Sequence, residues 1–186
     1  PAKAKEQAVV IIRHGKTFNN KLGIFTGWHD AALAPEGRGE AARAGKLLRA
    51  AGYEFDVVYT SWLTRAIQTA WLVLSELDCI WVPVHKTWRL NERMYGALTG
   101  VSKKATKAQY GEKQFKAWRR GYDTRPPVVS TFSPKYPGND ARYVKNVHDL
   151  PISVGQTLIR SIDAGYLTVH RQLPRTESLK DCMDRT

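Results

Sequence analysis

The sequence predicts an α/β fold with three layers, in which a largely parallel sheet is flanked by helices. Short runs of β-branched and aromatic residues alternate with longer alanine-rich or amphipathic segments, which is typical of parallel strands joined by crossover helices. The length of 186 residues is enough for one substantial core and too small for two ordinary domains. We therefore expect a single domain over residues 1–186.

The predicted elements begin with a buried strand at Val9–Ile12, because all four residues are β-branched. Pro35 and Gly52 bound the first long helix, since proline is favoured at a helix start and glycine just past its end. Next come a strand at 55–59, a helix from 64 to about 77 and a strand at 80–84. The later elements are a helix over 102–120, a proline-rich loop or lid over 122–140, a glycine-interrupted amphipathic helix over 152–173 and a short last helix capped by Thr176 or Ser178.

The charge of the chain indicates anionic partners. Lysine and arginine number 29 against 17 acidic residues, a net charge of +12. Phosphorylated metabolites, nucleic acid and acidic surfaces all fit this charge. The excess is concentrated between residues 93 and 135, and we expect that segment to flank an anion site. No recognition helix, RNP-like motif or zinc finger is present, so nucleic acid is not the expected partner.

Other classes of protein are disfavoured by the composition. No apolar stretch approaches the length that spans a membrane, so no membrane partner is expected. Cys79 and Cys182 cannot make a disulfide framework, which favours a reducing, cytoplasmic location. The histidines and cysteines lack metal-ligand spacing, and we predict that the protein binds no metal.

The tripeptide Arg13-His14-Gly15 follows the predicted first strand and indicates a phosphate site. Neutral imidazole is a nucleophile, arginine offers a fork of donors to phosphoryl oxygens, and glycine allows a close backbone approach. Such a site suits phosphoryl transfer through a phosphohistidine, although a solvated strand-end loop is the plainer alternative. The following Lys16 suggests a P-loop, but that motif requires glycine where Val10 stands, so we reject it.

Further motifs follow in order, and together they resemble the cofactor-dependent phosphoglycerate mutases of the histidine phosphatase superfamily. The resemblance runs from about Ala8 to the end of the chain with one interruption. Its segments are Phe25–Asp30, Gly52–Asp56, Tyr59–Ala66, Trp88–Gly96, Leu98–Gly100, Trp118–Asp123, Pro126–Pro127, Asp140–Tyr143 and Leu173–Asp181.

This resemblance implies an isomerase that interconverts 3- and 2-phosphoglycerate in glycolysis and gluconeogenesis. His14 would be phosphorylated by the cofactor 2,3-bisphosphoglycerate and would pass the phosphoryl group to a monophosphoglycerate. Arg13 and Arg65 would hold that group, and Glu92 would be the general acid and base. The implied substrate-binding residues are Arg13, Asn20, Thr26, Gly27, Arg65, Glu92, Tyr95, Lys103, Arg119 and Arg120. No metal is implied.

The chain also departs from the family pattern. It has Lys16, Thr17, Asn19 and Met94 where the family usually has glutamate, serine, tryptophan and histidine. An insertion covers about 144–172, and the family's second essential histidine would follow Thr186. We therefore expect a mutase-like domain that is incomplete at its C-terminus, with a sheet lacking a central strand that a homo-oligomer would help to cover.

Several alternatives stay open. In a phosphatase of the same superfamily, water would take the phosphoryl group from His14. A catalytically inactive, truncated protein would instead bind partners through its basic segment. Residue by residue, Glu92 would be a surface partner of Arg89 or Arg93, and the cations at 119–120 a solvated helix face.

Overall fold

The computed structural model describes residues 8–145 and 173–186. The α-helices in these ranges are α1 (Phe18–Lys21), α2 (Pro35–Ala50), α3 (Thr64–Glu76), α4 (Lys103–Arg120), α5 (Ala141–Lys145) and α6 (Leu179–Arg185). The strands are β1 (Val58–Thr60) and β2 (Val84–Lys86), and 3₁₀ turns lie at Trp88–Leu90, Gly96–Leu98 and Pro137–Asn139. None of these helices has the length and apolarity needed to cross a bilayer.

The two strands form a parallel pair with α3 as the crossover between them. Val58 is paired with Val84 and Thr60 with Lys86. Helix α3 contacts both β1 and α2. The α/β class with a parallel sheet and flanking helices is therefore confirmed.

The strand predicted at Val9–Ile12 is wrong. These residues form no ladder with any described residue, and Val9 and Ile11 are 88% and 92% exposed. A β-branched run supplies the propensity for a strand, but a strand forms only where a neighbour pairs with its backbone groups. In the described ranges, β1 pairs with β2 alone.

The other two strands are shorter than predicted and displaced along the chain. The apolar run that predicted a strand at 80–84 falls mostly in a turn after α3, where the Val82 amide donates to the Cys79 carbonyl. Trp81 is 77% exposed as a result. The ladder starts only at Val84, where the backbone meets β1.

The helix ends agree with the capping signals in the sequence. Helix α2 begins at Pro35, and Gly52 follows it with a positive φ of 74°. The Ser102 hydroxyl caps α4, and Ser178 forms a capping box with Asp181 at the start of α6. Most of the predicted insertion and of the predicted helix at 152–173 lies outside the described residues.

A seam of small residues on α2 brings this helix against α3. Gly37, Ala41 and Gly45 are its buried positions. A Cβ atom on Gly45 would lie 2.8 Å from the carbonyl oxygen of Val73 in α3, so only glycine permits this approach. The close packing fixes α3, whose first turn carries Arg65.

Aromatic residues form most of the core beside the sheet. The larger cluster consists of Trp28, Trp88, Met94, Val129, Tyr136, Tyr143 and Leu173. A smaller cluster of Phe25, Leu98 and Phe115 packs under α4, with Trp118 at its edge. Segments distant in sequence therefore meet around the residues 25–30 and 88–98.

Candidate active site

His14 presents one ring nitrogen as a hydrogen-bond acceptor. Its Nδ1 lies 2.7 Å from the carbonyl oxygen of Gly15, and its Nε2 lies 3.3 Å from Nε of Arg65. Because a guanidinium nitrogen can only donate, Nε2 must be the acceptor and Nδ1 carries the proton. The lone pair of the neutral imidazole is thus on Nε2, beside the Arg65 guanidinium.

Burial is the main cause that lowers the pKa of His14 below 6.5. The hydrogen bond to the Gly15 carbonyl raises this pKa, the charges of Arg65 and Arg13 lower it, and the Glu92 carboxylate raises it. The balance leaves His14 neutral near pH 7, which is the nucleophilic form.

Arg65 occupies the first turn of α3 and its side chain is 1% exposed. Its Nη2 donates to the carbonyl oxygen of Gly27 at 2.7 Å and to Oε2 of Glu92 at 2.8 Å. Its Nη1 donates to the carbonyl oxygen of His29 at 3.1 Å. A buried cation is therefore held rigidly, with His14 and Glu92 on the same guanidinium.

The loop around Gly27 has the conformation that this arrangement needs. Gly27 has a positive φ of 54°, and a Cβ atom there would lie 3.0 Å from the Arg93 carbonyl oxygen. The neighbouring Thr26 side chain is buried, and its hydroxyl has no partner among the described residues. That hydroxyl is consistent with the predicted role of Thr26 in binding a ligand.

Thr69 positions the residue that follows His14. The Gly15 amide donates to the Thr69 hydroxyl at 3.1 Å, and that hydroxyl donates to the Arg65 carbonyl oxygen at 2.8 Å. Sequence reasoning missed Thr69. Its place four residues after Arg65, and so on the same face of α3, was the available signal.

Glu92 follows the 3₁₀ turn at Trp88–Leu90, and its side chain is 38% exposed. Its ion-pair partner is the buried Arg65, so the alternative that pairs it with Arg89 or Arg93 at the surface is wrong. The Glu92 carboxylate and the His14 imidazole thus contact the same Arg65 guanidinium, and the carboxylate is also exposed to solvent.

A second set of cations lies close to this centre. Burial is the main cause that lowers the pKa of Lys103, and the charges of Arg119 and Arg13 lower it further. The Glu92 carboxylate acts in the opposite direction and raises this pKa. Lys103 lies at the start of α4 and Arg119 near its end, and the helix is broken between them at Gly111, whose φ of 78° is not helical. The charges of Lys103 and Arg119 therefore act on one region.

Among the described residues, three other predicted site residues make no hydrogen bond or ion pair with His14, Arg65 or Glu92. The Asn20 side chain accepts from the Thr17 amide in the capping box of α1. The Tyr95 ring packs 4.9 Å from the Phe25 ring. Arg120 is exposed and makes no hydrogen bond or ion pair with any described residue. A substrate contact by any of the three stays a prediction.

Arg93 was missed by sequence reasoning. It is 7% exposed, and its Nη2 donates to the carbonyl oxygens of Trp118 and Arg119 at the end of α4. Its Nη1 is buried without a partner in the part of the chain that the structure describes. The place of Arg93 directly after Glu92 was the signal that could have identified it.

The described residues contain no group of three histidine, cysteine, aspartate or glutamate side chains placed to hold a metal ion. The positive charge of the site comes from Arg13, Arg65, Lys103 and Arg119. The arrangement therefore presents a neutral imidazole, a carboxylate and several cations, which is a set suited to phosphoryl groups.

Comparison with known proteins identifies a family. The histidine phosphatase superfamily (branch 1) matches residues 9–146. The solved alpha-ribazole phosphatase from Shigella flexneri is 29% identical with a TM-score of 0.50, and the match covers 74% of this chain and 67% of that chain. The mycobacterial glucosyl-3-phosphoglycerate phosphatase in complex with VO3 is 27% identical with a TM-score of 0.50, and the match covers 59% of this chain and 49% of that chain.

A phosphoglycerate mutase from Thermus thermophilus is also similar, at 28% identity over 62% of this chain and 58% of that chain. Its TM-score of 0.45 is too low for this likeness to favour a mutase over a phosphatase. The chain spans about half the length of the mycobacterial phosphatase that it matches.

Proposed function

The chain belongs to branch 1 of the histidine phosphatase superfamily, and on this basis we propose that it transfers phosphoryl groups through a phosphohistidine at His14. One observation carries the proposal. The Nε2 lone pair of a neutral His14 lies beside a buried guanidinium that also holds the Glu92 carboxylate. Nucleophile, charge stabiliser and proton carrier are thus in contact.

In the first step, Nε2 of His14 attacks phosphorus and the bond to the ester oxygen breaks. That oxygen leaves with a proton that we assign to Glu92 as general acid. Arg65 and Arg13 stabilise the charge on the non-bridging oxygens during transfer, while the Gly15 carbonyl holds Nδ1–H and stabilises the phosphorylated ring.

In the second step, the hydroxyl of an acceptor attacks the phosphohistidine. Its proton passes to Glu92, the bond between phosphorus and Nε2 breaks, and the electron pair returns to the imidazole. The cycle restores both His14 and Glu92, so neither residue is consumed. The exposed side of Glu92 gives the acceptor a route to the carboxylate.

For the acceptor we propose a monophosphoglycerate, which makes the protein a phosphoglycerate mutase primed by 2,3-bisphosphoglycerate. The support is the second set of cations, Lys103 and Arg119, whose charges reach the same region as Glu92. A substrate with a carboxylate or second phosphate would pair with them. These cations supply the charge that a metal would otherwise provide, so we propose no metal.

A phosphatase is the second candidate, and a specific observation favours it. The solved structures that match at a TM-score of 0.50 include phosphatases by name. In that reaction water would be the acceptor, and the product would be inorganic phosphate. A cytoplasmic location and a homo-oligomeric state remain predictions.

Labelling of His14 separates these functions. We expect radiolabelled 2,3-bisphosphoglycerate to label the wild type and the control variant His85→Gln, which changes an exposed strand residue, but not His14→Ala. For a mutase, the label leaves the protein only when 3-phosphoglycerate is added, and it appears in a bisphosphoglycerate. Release as inorganic phosphate at the same rate without an acceptor would identify a phosphatase. Equal labelling of His14→Ala would refute both.

A further inference from the structure

Arg185, at the end of α6, holds the backbone of the segment that carries Glu92. Its side chain is 10% exposed. It donates to the carbonyl oxygen of Arg89, to that of Asn91 at 2.8 Å and to that of Glu92 at 3.2 Å. One guanidinium therefore bonds to three carbonyl groups within four consecutive residues.

Glu177 pairs with Arg185 and also bonds to the backbone two residues after Glu92. Its side chain is 4% exposed and pairs with Nε of Arg185 at 2.6 Å. Its Oε2 accepts the Met94 amide at 2.8 Å, and its own amide donates to the Met94 carbonyl oxygen at 2.9 Å. The ion pair thus bonds to the backbone on both sides of Glu92, at residues 89–92 through Arg185 and at Met94 through Glu177.

Two tryptophan rings cover the ion pair. The Arg185 guanidinium carbon lies 5.5 Å from the ring centre of Trp28 and 6.0 Å from that of Trp88. Both rings belong to the larger aromatic cluster. Cation–π contact holds the guanidinium against the rings, and exclusion of water strengthens the hydrogen bonds that it donates relative to the same bonds in solvent.

The position of Glu92 depends on this support. Its side chain is more than a third exposed, and among the described residues its ion pair joins it only to Arg65. Because this carboxylate has a single ion-pair partner in the described ranges, its orientation also depends on the backbone of Glu92. Arg185 and Glu177 restrain that backbone.

We propose that Arg185 and Glu177 are positioning residues that fix the segment 89–94, and with it Glu92, for proton transfer. The catalytic part of this inference rests on the proposed role of Glu92. The structural part rests on the hydrogen bonds alone, and it is tested without turnover.

The test compares Arg185→Lys and Glu177→Gln with the wild type by amide hydrogen exchange. Lysine keeps the charge but lacks the fork that reaches three carbonyl groups, and glutamine removes the charge that pairs with Arg185. We expect exchange at 91–94 to rise about tenfold or more, with α2 and α3 within about twofold of the wild type. We expect kcat to fall by about tenfold or more with KM nearly unchanged.

Arg125→Met is the matched control, because it removes a different ion pair of α6. Arg125 makes a bidentate ion pair with Asp181 of α6, at 2.7 Å from Nε and 2.6 Å from Nη2, on the exposed side. Its removal takes an ion pair from α6 without touching the segment 89–94. We expect exchange at 91–94 and kcat to stay at wild-type values.

Unchanged exchange at 91–94 in both variants would overturn the inference, and so would an equal rise throughout α2 and α3. A local rise with unchanged kcat would overturn the positioning role. If the wild type forms no phosphohistidine, the proposed function fails, while the exchange data still decide whether the ion pair holds the segment. If Arg185→Lys does not fold, Glu177→Gln carries the comparison.

Discussion

Gly15 and Gly37 meet backbone to backbone, so closely that a Cβ atom on Gly15 would lie 2.1 Å from the Gly37 carbonyl oxygen. A Cβ atom on Gly37 would lie 2.0 Å from the Lys16 carbonyl oxygen. The residues that follow His14 are thus seated directly on the first turn of α2. This contact explains a glycine inside a helix, where glycine is otherwise unfavourable by about 1 kcal/mol.

Gly37→Ala is expected to destabilise the protein although alanine favours a helix. The methyl group would push the segment after His14 away, at a cost of about 1–3 kcal/mol in the free energy of unfolding. The phosphohistidine yield should fall as well. Gly39→Ala is the control, because apart from adjoining residues of α2 no atom of the described residues lies within 4 Å of a Cβ at that position, and it should stabilise α2 by about 0.5–1 kcal/mol. Equal effects in urea unfolding would contradict this prediction.

Thr69→Val tests the link between α3 and the residue after His14. Valine has nearly the same shape but removes the hydroxyl that accepts from the Gly15 amide. The buried amide would lose its partner, so we expect a loss of about 1–3 kcal/mol in unfolding free energy. Slower phosphorylation of His14 should accompany it. Thr69→Ser retains the hydroxyl and should recover most of the phosphorylation rate; no recovery would argue against the hydrogen bond.

The titration of His14 should occur below its usual pKa of 6.5, chiefly because of burial. Phosphorylation should therefore speed up as pH rises through the lowered pKa and level off above it. Glu92→Gln should lower the pKa of His14 further, because the carboxylate raises it. NMR titration of the imidazole measures both values, and a wild-type pKa at or above 6.5 would contradict the prediction.

The same shift has a consequence for stability, and its sign follows from proton binding. Between the lowered pKa of His14 and 6.5, the unfolded chain binds more protons than the folded chain. The free energy of unfolding therefore falls as pH drops through this window, and this contribution becomes constant below the folded pKa. His14→Gln should show a smaller loss of stability than the wild type between about pH 7.5 and about pH 5.0, measured by urea unfolding.

Lys103→Gln tests whether the second set of cations binds an anionic group of the substrate. The loss of a charge-assisted hydrogen bond should raise KM for 3-phosphoglycerate about tenfold or more. Lys113→Gln removes an exposed charge from the same helix and should leave KM within about twofold. An equal rise in KM for both variants would show that general charge, and not Lys103 itself, attracts the substrate.

The sequence predicted the long helices well, because their signals are local. Pro35, Ser102 and Ser178 mark helix starts by capping groups that act within one turn. The motifs around His14, Arg65 and Glu92 carry their residue types in the chain itself. The structure brings His14 and Glu92 to the Arg65 guanidinium, and their roles in phosphoryl transfer stay predictions.

Strand positions were predicted less well, since a strand depends on a neighbour that local sequence does not specify. The run at Val9–Ile12 has strong β propensity yet no ladder partner among residues 8–145 and 173–186. The predicted third strand is partly a turn, because the register with β1 places the ladder at Val84. The β propensity of a segment depends on its own residues, whereas strand pairing requires a second segment beside it.

By itself, the amino-acid sequence determined the long helices, the side chains that are candidates for acting on a phosphoryl group, and the excess of positive charge. Only the tertiary structure decided what supports those side chains: the contact between Gly15 and Gly37, the Thr69 hydroxyl, and the buried pair of Arg185 and Glu177. The reason is physical. Gly15 and Thr69 are 54 positions apart and Arg185 is 96 positions from Arg89, and contacts over such separations arise from packing rather than from local propensity.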